Sequence, residues 1–293
     1  MKVLVLGASG LLGNTVYRIL SDCHELQVAG TIRSSEIVHL FGSKYATGLM
    51  ETPNLARERS LEEVLERAQP DLVVNCVSVS RPPNGSVDEE QMKDIYDRFP
   101  HRLARICGRT GSRLLQISSD GVFSGERGFY TEDDPPDARD AYGISKLRGE
   151  IGHPHLTIRT SMIGHEILHP HGLLEWFLRQ SESCRCYTKA FFSGLPTVEL
   201  ARLIRDFIIP RSELSGVYHV AASPVSKFNL LSLVADVYGK KIAIVPDARI
   251  SINRSLVAAK FNTITGYVPP EWRQLIKNMY LDHQEWENSI VRG

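Results

Sequence analysis

The sequence has no long hydrophobic run and no excess of either charge over its 293 residues. No apolar run approaches the roughly 18 residues that a membrane-spanning helix needs. The 34 basic and 34 acidic residues cancel, so charge does not indicate a nucleic-acid or membrane partner. The amino terminus, MKVLVLGASG, enters a glycine loop at once, which predicts a buried strand and not a signal peptide. We therefore expect neither nucleic acid nor membrane as a partner.

Cysteine is also sparse, with five residues and no spacing typical of a disulfide framework. Reduced thiols and a cytoplasmic location are the expected setting. Cys184 and Cys186, and the histidines between 153 and 171, do not match the usual ligand spacings of zinc sites. We therefore expect no metal.

Glycine, in contrast, is concentrated directly after the first apolar run. The segment KVLVL at 2–6 has the composition of a strand buried on both faces. GASGLLG at 7–13 follows, and then a helical pattern, a context that predicts a dinucleotide-binding turn rather than a purely structural one. Gly7 permits the tight turn, Gly10 permits close approach of a pyrophosphate, and Gly13 permits close packing of the helix. The predicted cofactor contacts in this loop are Gly7, Ser9, Gly10, Leu11, Leu12 and Gly13.

Strand-like and helix-like segments alternate through the first half of the chain. Further strands are predicted at 27–31, 71–77, 113–118 and 156–160. Helices lie between them, one opened by a capping box at Ser60 and another running from about Asp88 to Thr110. This alternation predicts an α/β fold with a Rossmann-type, doubly wound parallel sheet.

The segment after the second predicted strand bears on the choice of cofactor. NAD-preferring sites place an acidic residue there to hold the ribose 2′-hydroxyl. Residues 31–35 read TIRSS and contain no carboxylate. Arg33 would suit a 2′-phosphate, with Ser34 as a further donor, so NADP(H) is favoured over NAD(H). The alternative is that Arg33 is a solvated loop residue.

The segment AYGISK at 141–146 suggests acid–base chemistry. Tyr142 and Lys146 are four residues apart and share one face of a helix. A nearby ammonium lowers the pKa of a phenol, which makes it usable as an acid near neutral pH. Ser119 ends a predicted strand, where the ligand crevice of such a sheet lies. With a nicotinamide nearby, these groups compose a reversible interconversion of ketone and alcohol. The alternative is an ordinary amphipathic helix start.

Several further segments have a recognisable pattern: ISSDGVFSG (117–125), IRTSMIG (158–164), FSGLPTVELA (192–201), GVYHVAASPVSKFNLL (216–231) and NRSL (253–256). With GASGLLG and AYGISK, they resemble the extended short-chain dehydrogenase/reductases, and within them the dTDP-4-dehydrorhamnose reductase-like nucleotide-sugar 4-ketoreductases. The resemblance implies a Rossmann domain over 1–162, with later segments returning to it, and a small, mostly helical substrate domain over 163–293. It implies Ser119, Tyr142 and Lys146 as catalytic residues, Tyr142 and Lys146 as cofactor contacts as well, and a homodimer.

Two segments depart from the family pattern. Many members have an asparagine in the helix before the serine strand, where it assists a proton relay, but MKDIYDRFPHRLA at 92–104 has none. The relay then uses water or is missing. VSVSRPPNGSV at 77–87 lacks the alanine-rich pattern of many relatives, although it is expected to pass beneath the cofactor.

Five residues are candidates for binding the substrate. Arg254 suits a diphosphate, because arginine pairs bidentately with phosphate, or it forms a surface salt bridge. Asp120 accepts a hydrogen bond from a sugar hydroxyl or caps the following turn. Arg159 and Ser161 lie at the carboxyl end of a strand and are expected to face the same crevice. Trp176 lies in a predicted helix at 172–180, where core packing is the alternative.

The sequence thus predicts an NADPH-dependent reductase for the 4-keto group of a nucleotide-activated 4-keto-6-deoxyhexose, serving polysaccharide or glycan biosynthesis. One alternative is an epimerase or dehydratase of the same fold. Dehydratases pair Asp with Glu beside the serine position, whereas Asp120 is followed by Gly121. The other alternative is a non-catalytic, NADP-binding regulatory subunit, which has no need of Ser119, Tyr142 and Lys146 together.

Overall fold

The structure is a computed structural model, which describes residues 1–79, 88–168 and 171–291. The strands are β1 (Lys2–Leu6), β2 (Gln27–Ile32), β3 (Leu49–Glu51), β4 (Leu72–Asn75), β5 (Arg113–Ser119), β6 (Leu156–Thr160), β7 (Met162–Ile163), β8 (Ser183–Phe192), β9 (Leu195–Pro196), β10 (Gly216–His219), β11 (Val225–Ser226) and β12 (Ala243–Asn253). The α-helices are α1 (Leu11–Ser21), α2 (Ser43–Ala46), α3 (Glu58–Ala68), α4 (Glu89–Lys93), α5 (Phe99–Thr110), α6 (Ala141–Arg148), α7 (Leu173–Arg179), α8 (Thr197–Leu203), α9 (Lys227–Val237), α10 (Ala259–Thr265) and α11 (Trp272–Val291). Short 3₁₀ helices lie at Ser35–Phe41 and Asp120–Val122, and π-helical turns at Asp94–Arg98 and Ile204–Ile208.

A parallel sheet of seven strands lies at the centre, in the order β10-β6-β5-β4-β1-β2-β3. Strands β1 and β6 match the predicted segments 2–6 and 156–160. All the residues of β4 and β6 are buried, as in a sheet covered by helices on both faces. The predicted doubly wound α/β fold is confirmed.

The two faces of the sheet pack into separate hydrophobic clusters. Side chains of successive strand residues point to opposite faces. Val3 and Val5 therefore belong to the larger cluster, which includes residues of α1, α8, α9 and α11. Leu4 and Leu6 belong to the smaller one, with residues of α3 and α5. The two clusters thus hold the helices against both faces of the sheet, and the loops that follow the carboxyl ends of the strands can carry the site.

Segments after residue 163 return to this sheet in several places. Strand β10 pairs with β6 at its edge. The hydroxyl of Thr15 in α1 donates to that of Thr197 in α8 at 3.1 Å. Arg18 of α1 forms a buried ion pair with Asp282 of α11 at 2.8 Å. The later part of the chain therefore covers one face of the sheet, and a domain boundary after residue 162 stays a prediction.

A second sheet, in the order β11-β8-β12, was not predicted. β12 is an edge strand that pairs in parallel with β8, and its register shifts between Asp247 and Ser251. Pro246 lies within β12, and proline argues against a central strand but is tolerated at an edge. Most β12 residues are exposed, so the strand lacks the alternating pattern of a half-buried one.

The start of α3 corrects one prediction. The helix begins at Glu58 and not at a capping box on Ser60, and its first bond runs from the Leu61 N–H to the Arg57 carbonyl. Glu58 is the acidic residue in the first turn, where the helix dipole favours a negative charge. The predicted helix from Asp88 to Thr110 is present as α4, a π-helical turn and α5 in succession. Among the helices of the described ranges, none is long and apolar enough to cross a membrane.

Candidate active site

The glycine turn after β1 is built from backbone groups. Gly7 has a φ of +76°, and its N–H donates to the hydroxyl of Thr31 at the end of β2, at 2.9 Å. A Cβ atom on Gly13 would overlap the carbonyl oxygen of Gly7. Helix α1 therefore lies against the turn at a distance that no other residue at position 13 permits.

The start of α1 fits the pyrophosphate of a dinucleotide. Gly10 precedes the helix, no side chain caps it, and its first turn has no acidic residue. The N–H groups of the first turn, at Leu11 and Leu12, have no acceptor within the helix. Together with the helix dipole they favour an anion at this position. Ser9 lies in the same turn and is partly exposed.

The segment after β2 remains open to solvent. Arg33 follows β2 directly and is exposed. The Ser34 hydroxyl caps the following 3₁₀ helix by accepting from the Glu36 N–H at 3.3 Å. The oxygen of Ser34 thus has a structural partner, and its proton is still available as a donor.

Ser119 and Tyr142 line one common space at the carboxyl end of β5. Ser119 ends the strand, and Tyr142 lies in the first turn of α6, which Asp140 caps by accepting from the Gly143 N–H at 2.8 Å. A Cβ atom on Gly121 would lie 3.0 Å from Cε1 of Tyr142 and 3.2 Å from Oγ of Ser119. Gly121 thus permits the phenol ring of Tyr142 and the hydroxyl of Ser119 to lie close to each other.

The Ser119 hydroxyl belongs to a short chain of hydrogen bonds. Its oxygen accepts from the Gly121 N–H at 3.0 Å, and its proton is donated to Oδ1 of Asp120 at 3.3 Å. Oδ2 of Asp120 accepts from the Ser161 hydroxyl at 2.8 Å. Burial raises the pKa of Asp120, while Ser161 and the charge of Arg254 act in the opposite direction. The structure therefore brings together three of the predicted site residues here.

Lys146 is buried behind Tyr142. Its ammonium donates to the carbonyl of Ile117 in β5 at 3.1 Å, and the residue is only 9% exposed. Burial lowers its pKa to about 8, although the nearby Cys76 and Glu150 act to raise it. Within the described residues, Lys146 thus links α6 to the strand that carries Ser119.

Tyr96 is a residue of this site that the sequence did not predict. Its ring lies 4.4 Å from the Lys146 ammonium and 5.4 Å from the Tyr142 ring, at 88° to the latter. Its hydroxyl accepts from the N–H of Val79 at 3.0 Å. One sequence signal was available, since Tyr96 precedes the buried Phe99 by three residues and so lies on the inner face of its helix.

Arg254 lies at the edge of this cluster. It pairs with Asp140, the capping residue of α6, at 3.3 Å. Its charge acts on Asp120, so it is close to the Ser119–Ser161 chain. Its Nε is buried and has no hydrogen-bond partner among the described residues.

Trp176 does not join the cluster. It lies on α7 and is 41% exposed, whereas its neighbours Leu174 and Phe177 are fully buried. Core packing is therefore not its role. No hydrogen bond among the described residues connects it to Ser119 or Tyr142.

Arg159 is placed differently from its sequence-based prediction. Its guanidinium is buried and donates to both carboxylate oxygens of Glu150 at 2.8 Å, and it donates to Nε2 of His219 at 3.3 Å. The Ser118 hydroxyl donates to the same carboxylate at 2.7 Å. The donors of Arg159 are thus used by Glu150 and His219 within the fold. We assign it to the core and not to the substrate site.

Comparison with known proteins now adds to this geometry. The family model for the RmlD substrate binding domain matches residues 1–285. The chain belongs to this family. It is therefore a member of the extended short-chain dehydrogenase/reductases, which are NAD(P)-dependent oxidoreductases.

Curated relatives of this RmlD-family chain fall into two groups. The spore coat polysaccharide biosynthesis protein SpsK of Bacillus subtilis is 26% identical over 94% of this chain and 95% of its own. The probable low-salt glycan biosynthesis reductase Agl14 of Haloferax volcanii is 32% identical over 51% of this chain and 48% of its own. Methionine adenosyltransferase 2 subunit beta of Rattus norvegicus is 30% identical over 149 residues, 51% of this chain but only 41% of the length of that protein. The family, SpsK and Agl14 support a nucleotide-sugar reductase or epimerase family.

Solved structures show the same fold. A hypothetical dTDP-4-dehydrorhamnose reductase from Sulfolobus tokodaii has a TM-score of 0.74 and 25% identity, over 93% of this chain and 98% of its own. The dTDP-4-dehydrorhamnose reductase of Bacillus anthracis in complex with NADP has a TM-score of 0.77 and 17% identity, over 96% and 99%. The family recognised from the sequence motifs is confirmed. Residues 80–87, within the stretch expected beneath the cofactor, lie outside the described residues.

Proposed function

We propose that this protein reduces the 4-keto group of a nucleotide-activated 4-keto-6-deoxyhexose, with NADPH as the favoured reductant. The observation that carries the proposal is that the Ser119 hydroxyl and the Tyr142 ring both lie against Gly121, with Lys146 buried one turn further along α6. The family and the relatives named for polysaccharide and glycan biosynthesis support this substrate class.

Ser119 and Tyr142 have different roles toward the ketone oxygen. The Ser119 oxygen already accepts one hydrogen bond, so its proton is free to turn from Asp120 to a substrate oxygen. Tyr142 donates its proton to that oxygen, and the charge of Lys146 favours the phenolate that remains. The nicotinamide, when bound, supplies the hydride. Ketone, hydride and proton then sum to the alcohol.

The preference for NADPH rests on the end of β2. Arg33 is exposed there, and residues 31–35 contain no carboxylate to accept from a ribose 2′-hydroxyl. One structural neighbour is described as a complex with NADP and another, a dehydratase, as a complex with NAD. The proposed preference for NADPH therefore rests on the chemistry of Arg33 and not on the cofactors of the structural neighbours.

The substrate is proposed to lie along Asp120, Ser161 and Arg254. Asp120 and Ser161 offer an acceptor and a donor for sugar hydroxyls. Arg254 offers the diphosphate a guanidinium whose Nε has no partner within the described chain. The exposed Trp176 is proposed to contact the nucleotide base.

Three further expectations from the sequence remain proposals. A cytoplasmic location is consistent with cysteines that are all free. A homodimer follows from the family resemblance, and the boundary between residues 162 and 163 marks the start of the substrate-binding part. None of these affects the assignment of the reaction.

The test is oxidation of NADPH with a panel of 4-keto-6-deoxy sugar nucleotides, comparing the wild type with Tyr142→Phe. We expect turnover with at least one sugar and a fall of about 10²–10⁴-fold in the variant, since it lacks the acid. Calorimetry checks that the variant still binds NADPH. Tyr187→Phe on β8 is the matched control and should keep full activity.

The same experiment separates the alternatives. NADPH binding without turnover of any sugar would favour a regulatory subunit, the class that the match to methionine adenosyltransferase 2 subunit beta suggests. Conversion of the sugar without net oxidation of NADPH would favour an epimerase or dehydratase. Equal turnover by wild type and Tyr142→Phe would exclude the proposed role of the tyrosine.

A further inference from the structure

Tyr96 lies in an unusual piece of helix. The turn Asp94–Arg98 is π-helical and lies between α4 and α5. Single π-helical turns are rare and occur frequently at functional sites. Tyr96 is 8% exposed, and its hydroxyl accepts from the Val79 N–H beyond the end of β4. The ring is therefore held by the helix at one end and by this hydrogen bond at the other.

Both Tyr142, the proposed proton donor, and Lys146 contact this ring. The ammonium of Lys146 lies 4.4 Å from its centroid, within the range of a cation–π interaction. The ring of Tyr142 packs against it at right angles with centroids 5.4 Å apart, the favoured edge-to-face arrangement. The backbone also packs closely, since a Cβ on Gly149 after α6 would overlap the Tyr96 carbonyl oxygen.

We propose that Tyr96 is a positioning residue, whose ring holds the Lys146 ammonium and the Tyr142 ring in fixed relation to Ser119. The inference rests on the proposed function only for its effect on turnover. Its contacts with Lys146 and Tyr142 exist in the protein without substrate. Residues 92–104 lack the asparagine that many family members have. In this structure they instead place the Tyr96 ring in contact with Tyr142 and Lys146.

The Tyr96 ring is one of the groups that surround the buried Lys146 ammonium. The Ile117 carbonyl accepts the hydrogen bond of the ammonium, and the titratable groups that act on it are Cys76 and Glu150. Burial raises the pKa of Cys76 to about 12, so this thiol stays neutral. Glu150 is already paired with Arg159 on both carboxylate oxygens. The negative face of the Tyr96 ring and the Ile117 carbonyl therefore stabilise the ammonium together.

The test replaces Tyr96 with phenylalanine and then with phenylalanines of increasing fluorination, which weaken the ring face at almost constant volume. The titration of Lys146 is followed by NMR in cofactor-free protein with labelled lysine, assigned by its absence in Lys146→Met. We expect its pKa to fall stepwise, by about 0.5–1.5 units over the series, since a desolvated cation–π contact has that strength. The shift requires no catalysis.

Tyr218 provides the matched control. Its ring lies 4.7 Å from the ammonium of Lys260, which is exposed. The same fluorinated series at position 218 should leave Lys146 unchanged and shift Lys260 less, because water screens an exposed charge. A Lys146 titration that does not respond at position 96, or that responds equally to position 218, would overturn the proposal.

The activity of Tyr96→Leu, with Tyr96→Phe as the conservative variant, completes the test. Tyr96→Leu should lower kcat about 10-fold and move the pH profile in the direction of the Lys146 shift, and Tyr96→Phe should largely restore both. A stepwise fall in the pKa of Lys146 without turnover of any ketosugar would support the positioning role of Tyr96 and refute the proposed function. Ketosugar turnover with no change in the pKa of Lys146 would support the proposed function and refute the positioning role of Tyr96.

Discussion

The glycine turn after β1 and the corner after β5 lie at the same edge of the sheet, with only β4 between their strands. The turn works through missing side chains, because a Cβ on Gly13 would overlap the Gly7 carbonyl. The corner works through side chains that distant residues hold in place. Lys146 donates to the Ile117 carbonyl, and Asp120 accepts from Ser161.

The difference lies in how far along the chain each part finds its partners. The hydrogen bonds of the turn stay within its own loop and Thr31, and Gly7 also packs against the backbone of Cys76. The corner draws on Tyr96 from before β5 and on Arg254 from after β12. A local motif is therefore sufficient to specify the turn, whereas the corner depends on the whole fold. Substitutions at the corner should accordingly affect the stability of the fold most strongly.

The largest expected effect on stability is that of Arg159→Met. The change leaves the buried carboxylate of Glu150 without its partner, and breaking such a pair costs about 3–5 kcal/mol. Chemical denaturation measures this loss. Arg205→Met is the matched control, since its pair with Asp206 is more exposed and should contribute less than about 1 kcal/mol. Unchanged stability with a raised KM would instead place Arg159 in the substrate site.

Lys146→Met tests the second feature of the corner, a buried ammonium. The pKa of Lys146 falls from its ordinary 10.5 to about 8, so the folded state loses its proton before the unfolded state does. Below pH 8 both states are protonated and burial of the charge costs about 3 kcal/mol. As pH rises from 8 to 10.5 the unfolded state binds more protons, so stability increases and this cost disappears.

We therefore expect Lys146→Met to be more stable than the wild type at pH 7, by about 1–3 kcal/mol after loss of the Ile117 hydrogen bond. The advantage should shrink as pH approaches 10.5. Urea denaturation at several pH values measures it. Lys260→Met, at an exposed position, should show no comparable change. A difference that does not vary with pH would contradict the lowered pKa.

The same contrast explains what the sequence could and could not predict. Tyr142 and Lys146 were found because four residues on a helix define one face, and Ser119 because it ends a strand. Arg159 was expected to face the crevice because it lies at the carboxyl end of a predicted strand. Every residue of β6 is buried, so no alternation in the sequence shows which way its side chain points. Tyr96 was missed because its contacts depend on a π-helical turn packed against α6. Long-range contacts of this kind leave no local pattern.

Gly13→Ala tests whether the glycine turn is as local as it appears from its contacts. The added Cβ would overlap a backbone oxygen that has no room to yield, so we expect a loss of about 1–3 kcal/mol and at least about 10-fold weaker NADPH binding. Denaturation and calorimetry measure the two effects. Gly108→Ala in α5, where a Cβ meets nothing within 4 Å, should stabilise slightly. Full NADPH affinity in Gly13→Ala would show that α1 can shift without affecting the cofactor site.

Arg33→Ser is expected to have the smallest effect, and only on selectivity. The side chain is exposed, so its loss should not change stability. If it contacts the 2′-phosphate, the ratio of NADPH to NADH affinity should fall about 10-fold, the lower range for one charge-assisted hydrogen bond. The dissociation constants of both nucleotides measure the ratio, with Arg67→Ser on the exposed face of α3 as the control. An unchanged ratio would make Arg33 a solvated residue, and any preference for NADPH would then have to come from side chains outside residues 31–35.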